Sequence, residues 1–511
     1  MISPPGVDPS AQRERRAFEN YFHYGALSIA GSLDVGFWKG TVLQLSRSEP
    51  AIWDAVIAIS ALYENPSCSS SAGLLLGSTS RNDDALIWYS RSIGRARKLI
   101  EQSKASEEIA IVTCVLYICI EIMQGHVREA LQLYEQGLRL IHELKASVGS
   151  YRMPFLDDTV IPLFLRMGTA ALSTAGVPVV KDLFALADYQ GSLGSFNAEA
   201  ARAALSPITR ESILFQWEAE AHLLEVGSAA SVSPETVARQ QELLSRLDNW
   251  NRSFIALKKY EDAKNPMHLT AILTLRVFHA AIFIMLSTCL TQWETDSDTY
   301  LAYFKIIVEN ASRVVTDGSM PDGSQARFTF EAGVGEPLFA VTMKCRDQQL
   351  RREALSLLRR VPQVQAFFQS AARVARAEQY ILMEEAETIP GLMVRASDLS
   401  DITTEPDTPL AGVREVSMEK LANLPAEEDL VTLEEEPSDY EQVSHVPEEK
   451  RIRKFVVVWL QSRVPERTTT SPARPFLHFT RNRPSPFCNH MWEEREYFLP
   501  ISNSNGDEPR V

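Results

Sequence analysis

The chain has 511 residues, of which 45% are hydrophobic and 23% charged, an ordinary globular mixture. Met1 to Arg16 are polar and carry no apolar stretch of the kind a secretory signal requires, and six unevenly spaced cysteines (Cys68, Cys114, Cys119, Cys289, Cys345, Cys488) speak against a disulfide framework. A formal net charge of −15 argues against a basic, phosphate-binding surface as the dominant feature.

Residues 1–11 are expected to be disordered, and a helical unit is expected over residues 12–396. Within it, Ser48-Glu49-Pro50 precedes Ala51 to Tyr63, Ser206-Pro207 precedes Ile208 to Glu225, and Ser233-Pro234-Glu235 precedes Thr236 to Leu257. In each case a hydroxyl can accept an orphan amide hydrogen, and proline suits the first turn, where its missing N–H costs nothing. Apolar residues then recur at three- and four-residue intervals, as in Ile52, Val56, Ile59 and Tyr63, which predicts amphipathic helices. Ser67 to Thr79 and Val315 to Gly323 lose this period and read as breaks. Ala85-Leu86, Tyr89, Ser92-Ile93 recurs 45 residues later as Ala130-Leu131, Tyr134, Gly137-Leu138. This spacing suits a duplicated helical hairpin with Ser92 and Gly137 as points of close approach, the alternative being two unrelated amphipathic helices. The runs Ile109 to Ile120 and Val277 to Trp293 lack Lys, Arg, Asp and Glu, but both are shorter than the roughly 20 residues of a membrane span and are read as buried core helices.

Residues 397–449 hold 16 Asp or Glu against Arg414 and Lys420, so nearly all of the chain's acidic balance lies there. Apolar residues alternate with the acids, and Pro406, Pro409, Pro425, Pro437 and Pro447 oppose a long helix, so this reads as a flexible acidic insert. Over residues 450–511, Arg451 to Leu460 is β-branched and aromatic and Phe476 to Phe479 can pair with it, which predicts a small hairpin. The expected fold is therefore mainly α: a multi-helix bundle or array of helical hairpins, with an acidic disordered insert and a small C-terminal β-hairpin.

Catalytic signatures fail on inspection. The chain has no Gly-Lys pair for a P-loop, Leu338 stands where a dinucleotide fingerprint on Gly333 and Gly335 needs a third glycine, and no Gly-x-Ser-x-Gly elbow occurs. His142-Glu143 is followed by Ala146 where a zincin helix needs histidine. Asp83-Asp84 and Asp157-Asp158 lack a third carboxylate one turn on, at Ile87 and Ile161, and Asp83-Asp84 is read as favouring a helix N-terminus. Cys114 and Cys119 lie about 140° apart around a helix and are read as core thiols. His478, Cys488 and His490 form the best metal candidate but lack a fourth partner. Lys450 to Lys454 reads either as a nuclear-import signal or as a charged strand edge. No catalytic, cofactor-binding or metal residue is assigned, and no cofactor is expected.

One segment carries more. Phe37-Trp38, Val42-Leu43-Gln44-Leu45-Ser46, Ser48-Glu49-Pro50-Ala51-Ile52-Trp53, Val56, Ala58 and Ser60-Ala61-Leu62-Tyr63 resemble the start of the fungal-specific transcription factor domain, the regulatory region that follows binuclear zinc clusters. The resemblance continues at Ala85 to Ile93, Cys114 to Gly125, Glu336 to Phe339, Lys344 to Arg352, and Val446 to Ile452. The family's zinc cluster needs six spaced cysteines ahead of this domain, and here the first cysteine is Cys68. The resemblance therefore implies a nuclear transcriptional regulator, not an enzyme, acting through protein partners: a homodimer, a zinc-cluster factor as heterodimer, or coactivators. Direct DNA binding is not carried over, and control of a secondary-metabolite gene cluster is a further implication. The alternatives are a helical scaffold that titrates a full-length zinc-cluster factor, and an all-α enzyme working in a bundle pocket. Trp38, Trp53, Tyr63 and Trp88 are read as core anchors, and Arg346-Asp347 with Arg351-Arg352 as a solvated face paired within the turn.

Overall fold

The computed structural model describes residues 9–31, 34–64, 79–102, 106–148, 153–175, 198–226, 232–261, 266–319, 325–385, 394–395, 402–403, 446–462, 474–484 and 492–500. It is mainly helical. In chain order the α-helices are α1 (Pro9–Asn20), α2 (Ala26–Ala30), α3 (Val42–Ser46), α4 (Pro50–Glu64), α5 (Thr79–Glu101), α6 (Glu107–Met123), α7 (Val127–Val148), α8 (Ile161–Ala175), α9 (Ala198–Val226), α10 (Pro234–Glu261), α11 (Pro266–Thr288), α12 (Leu301–Asp317), α13 (Gly335–Lys344), α14 (Gln348–Arg360) and α15 (Ser370–Glu385).

Helix α4 is the centre of the first core. It was expected to be amphipathic, yet Ala51 through Leu62 are buried apart from Trp53, because α1, α3, α5 and α6 all pack on it. Its buried Asp54 is held by Arg91 and Arg95 of α5, at 2.6 and 2.7 Å. The recurring motif lands on α5 and α7, the second helices of the hairpins α4/α5 and α6/α7. Ser92 donates to the Ala51 carbonyl at 2.6 Å, and a Cβ on Gly137 would meet the Phe164 ring at 2.6 Å. Both small residues thus sit where a neighbouring element approaches closely. Around them one continuous cluster, mostly between Ala17 and Leu172 but joined by Ile213, Phe328, Phe330, Ala366 and Phe367, contains Trp38 and Trp88, with Trp53 and Tyr63 packed on its edge.

Two further clusters complete the helical body. One joins α9, α10 and α11 through Leu205, Phe215, Leu247, Trp250 and Leu286, and the other joins α11 to α14 through Phe304, Val308, Leu338, Val341 and Leu358. Residues Leu269–Thr288 of α11 are long and apolar enough to cross a membrane, but 61% of that window is buried among its neighbours, as suits a core helix.

The helix starts follow the expected chemistry only in part. Ser233 accepts the Thr236 amide at 3.1 Å and caps α10. Ser48 instead donates to Leu45, and Pro207 lies inside α9 rather than opening a helix. Burial of Ala198, Ala201 and Leu205 ahead of it holds the helix through a proline that would interrupt an isolated one.

The C-terminal strands exceed the expected hairpin. β6 (Ile452–Ser462), β7 (Arg474–Pro484) and β8 (Trp492–Pro500) form an antiparallel meander, flanked by the short β4 (Val394–Arg395) on β8 and β5 (Ile402–Thr403) on β6. The β6/β7 register places Val456 opposite His478 and Val458 opposite Phe476. A second sheet joins β1 (Phe328–Thr329), β2 (Val364–Gln365) and β3 (Phe368–Gln369). Tyr380 and Met383 of α15 pack with Ile452, Phe479 and Tyr497, which fixes the large sheet to the helices.

Candidate functional site

Besides the Asp54 pairing, two polar constellations stand out among the described residues. The first is a buried ionic clasp. Asp347 ends an extended segment and caps α14 by accepting the Leu350 amide at 2.9 Å, which turns Arg346 and Arg351 inward. Both guanidiniums converge on Glu384 of α15: Arg346 Nη2 reaches Oε1 and Arg351 Nη2 reaches Oε2, each at 2.8 Å. The Ile452 amide at the head of β6 donates to the same carboxylate, also at 2.8 Å. Burial alone would raise the Glu384 pKa, but the two arginines outweigh it and hold the carboxyl below its usual range.

The clasp extends to the segment after α11. Lys344 binds Glu294 at 2.8 Å, and the wholly buried Arg451 grips Asp298 with bonds of 2.9 and 2.6 Å. Glu448 accepts the amides of Glu294 and Thr295 and the amide group of Asn482. Residues around 294–298, 344–351, 384, 446–452 and 482 are thereby tied into one network. The solvated-face reading of Arg346-Asp347 and Arg351-Arg352 is therefore wrong for Arg346 and Arg351, whose partner lies more than thirty residues on. Arg352 is partly exposed, as that reading expects, but its partner Glu385 is likewise remote along the chain. Within Lys450 to Lys454, Arg451 is structural, and Arg453 and Lys454 both reach Glu494. Arg453 and Lys454 thus have their charge met by Glu494 of β8.

The second constellation lines a cavity of about 960 Å³ between α8, α9, α11 and α13. Its wall is largely apolar, with Leu163, Met167, Ile213, Trp217, Phe278 and Met285. At one side Asp34 binds Arg166 and, at 3.1 Å, Arg202, which also holds Glu331 at 3.1 Å. At another, Glu336 accepts from Ser173 at 2.9 Å, and burial pushes its pKa up. Burial, and then the neighbouring Arg373, pull the Arg376 pKa down to about 10. The carboxylates of Asp34 and Glu331 face arginines, so this wall is charge-matched. Nothing in the sequence connects Asp34, Arg166, Arg202 and Glu331, which come together only through the packing of α8 and α9 beside β1.

The sequence candidates disperse. Asp83 and Asp84 lie within α5 rather than before it, and Asp84 accepts from Arg13 at 3.0 Å. Asp157 accepts the Met153 amide at 2.9 Å and pairs with Lys145, in a short π-helical turn that Asp158 shares. Cys114 donates to the Leu133 carbonyl at 3.3 Å, and burial pushes its thiol up to about 12. Cys119 is wholly buried and its thiol is likewise raised by burial. His478 sits on β7, whereas Cys488 and His490 lie outside the described residues. Among the described residues no group of three His, Cys, Asp or Glu is placed to hold a metal ion.

The fold and its interior define a helical domain with a ligand-sized cavity and an internal charge network. Residues 18–167 match the family model of the fungal specific transcription factor domain. The matched residues span the hairpins α4/α5 and α6/α7 and α8 as far as Met167, and they supply most of the first core cluster. The resembling stretches Glu336 to Phe339, Lys344 to Arg352 and Val446 to Ile452 lie beyond the match, and the last two supply Lys344, Arg346, Arg351, Glu448 and Arg451 to the ionic clasp. No curated protein and no solved structure matches the chain.

Proposed function

We propose that the protein is a fungal transcriptional regulator whose helical body is an effector domain. The family match over residues 18–167, seated on the structure's largest core, is the observation that carries this reading. The domain family also supports a nuclear location. No step of catalysis follows from the interior polar groups, because the carboxylates of the clasp and of the Asp34 wall are held by arginines. In this reading DNA is reached through a protein partner: a second copy of the chain or a zinc-cluster factor. The acidic residues 397–449 supply short apolar patches among acids that suit a coactivator surface. Control of a secondary-metabolite gene cluster is the finer form of the same proposal.

Fusing the full chain to an unrelated DNA-binding domain tests this in a fungal reporter strain. Reporter output should change at least severalfold, and deletion of residues 404–445, which spares β5 and Glu448, should abolish any activation. An unchanged reporter would refute the effector role. Recovery of a zinc-cluster protein with the tagged chain, in the absence of reporter change, would favour the scaffold that titrates such a factor.

A further inference from the structure

We propose that the cavity between α8, α9, α11 and α13 binds a mainly apolar small molecule that bears one anionic or carbonyl oxygen, which docks on the Arg166 guanidinium. The proposal concerns binding alone and does not depend on the chain acting in transcription.

The space of about 960 Å³ is partly open to solvent and, in size, at the upper end of ligand pockets. Its wall combines aliphatic and aromatic side chains of α8, α9 and α11 with polar and charged groups, and most of the accessible lining is apolar. Water filling such a space would find few partners along Leu163, Met167, Phe278 and Met285. An apolar ligand would replace it favourably.

The polar end selects the ligand's head group. Arg166 lies deep in the protein, yet a quarter of its side-chain surface remains accessible, as expected of a group that faces a cavity. Its Nη2 binds Asp34 and its Nε is buried without a hydrogen bond, so Asp34 alone does not use all the donors of this guanidinium. Arg202 beside it shares Asp34 and is committed to Glu331 as well. An oxygen acceptor is complementary to the Arg166 guanidinium, whose carboxylate partner Asp34 is shared with Arg202. The walls come both from α8, inside the family-matched segment, and from α9 and α11 beyond it, so an occupant would join the first core to the second and third.

The test uses the full chain with anilinonaphthalene sulfonate, an apolar fluorophore with an anionic group, and with dodecanoate and dodecylamine as competitors. The fluorophore should bind near one equivalent and accept energy from Trp217, a transfer that Trp217→Phe reduces. Dodecanoate should displace it and dodecylamine should not. Thr209→Phe, which fills space from α9, should abolish binding with an unchanged circular dichroism spectrum. Arg166→Gln should weaken dodecanoate about tenfold, the loss of one charge-assisted hydrogen bond. Absence of binding, equal binding to Thr209→Phe, or equal displacement by the amine would overturn the proposal. If Arg166→Gln fails to fold, Thr209→Phe and the acid-versus-amine comparison on the unmodified chain still decide it.

Discussion

Glu384 concentrates more of the fold's electrostatics than any other side chain in the clasp. It is fully buried, and it accepts from Arg346, Arg351 and the Ile452 amide together. Glu384→Gln keeps the shape but leaves two buried guanidiniums without their shared countercharge, a change expected to cost about 3–5 kcal/mol, measurable by urea denaturation. Its pKa is depressed in the folded state, so its contribution is present above the ordinary carboxylate range and is lost as pH falls through the folded value. His279 adds to the acid sensitivity at a higher pH. Burial lowers its pKa to about 4, and it stacks between Trp250 and Phe283. The unfolded imidazole takes up a proton near its ordinary value, so stability is full above that value and declines as pH falls toward about 4. This term is worth about 3 kcal/mol, and His279→Phe should flatten the decline between neutral pH and pH 4.5 in the same denaturation assay. Neither role was legible in the sequence. Arg346 and Arg351 have a near neighbour of opposite charge in Asp347, whereas Glu384 is remote along the chain and becomes their partner only when α14 and α15 pack. The aromatic anchors were legible because large apolar side chains at helical spacing have few places to go except inward.

At the scale of elements, glycines on two helices give opposite expectations. Gly137 on α7 faces the Phe164 ring and Cys114, where an added Cβ would come within 2.6 and 3.0 Å. Gly137→Ala should therefore overpack that contact, destabilising by about 1–3 kcal/mol with part of it offset by better helix propensity. Gly94 on α5 has nothing within 4 Å, so Gly94→Ala should stabilise by about 0.5–1 kcal/mol. Thermal melts of the two variants check the signs directly. Helix positions could be read from apolar period and from caps such as Ser233, because those signals are local. Pro207 misled because the burial of the turns before it decides its place in α9. The third strand, Trp492–Pro500, was missed because charges interrupt its alternation at Glu493, Glu494, Arg495 and Glu496, and only its pairing with β7 reveals it.

At the scale of the whole molecule, the C-terminal sheet is stitched to the helical body by Glu448, Arg451, Asn482 and the packing of Ile452, Phe479 and Tyr497 on α15. Removing residues 446–511 should expose Glu384, Glu294 and Asp298 to loss of their partners, so the shortened chain should melt at lower temperature and be cleaved faster within α11 to α15 than within α4 to α8. The family match and the first core lie in the part expected to survive. The central claim, that this helical body regulates transcription, is tested most directly by chromatin immunoprecipitation of the tagged full chain, with transcript levels measured in a strain lacking it. The account predicts occupancy at discrete promoters whose transcripts change when the protein is absent. Background occupancy throughout the genome with unchanged transcripts would contradict it.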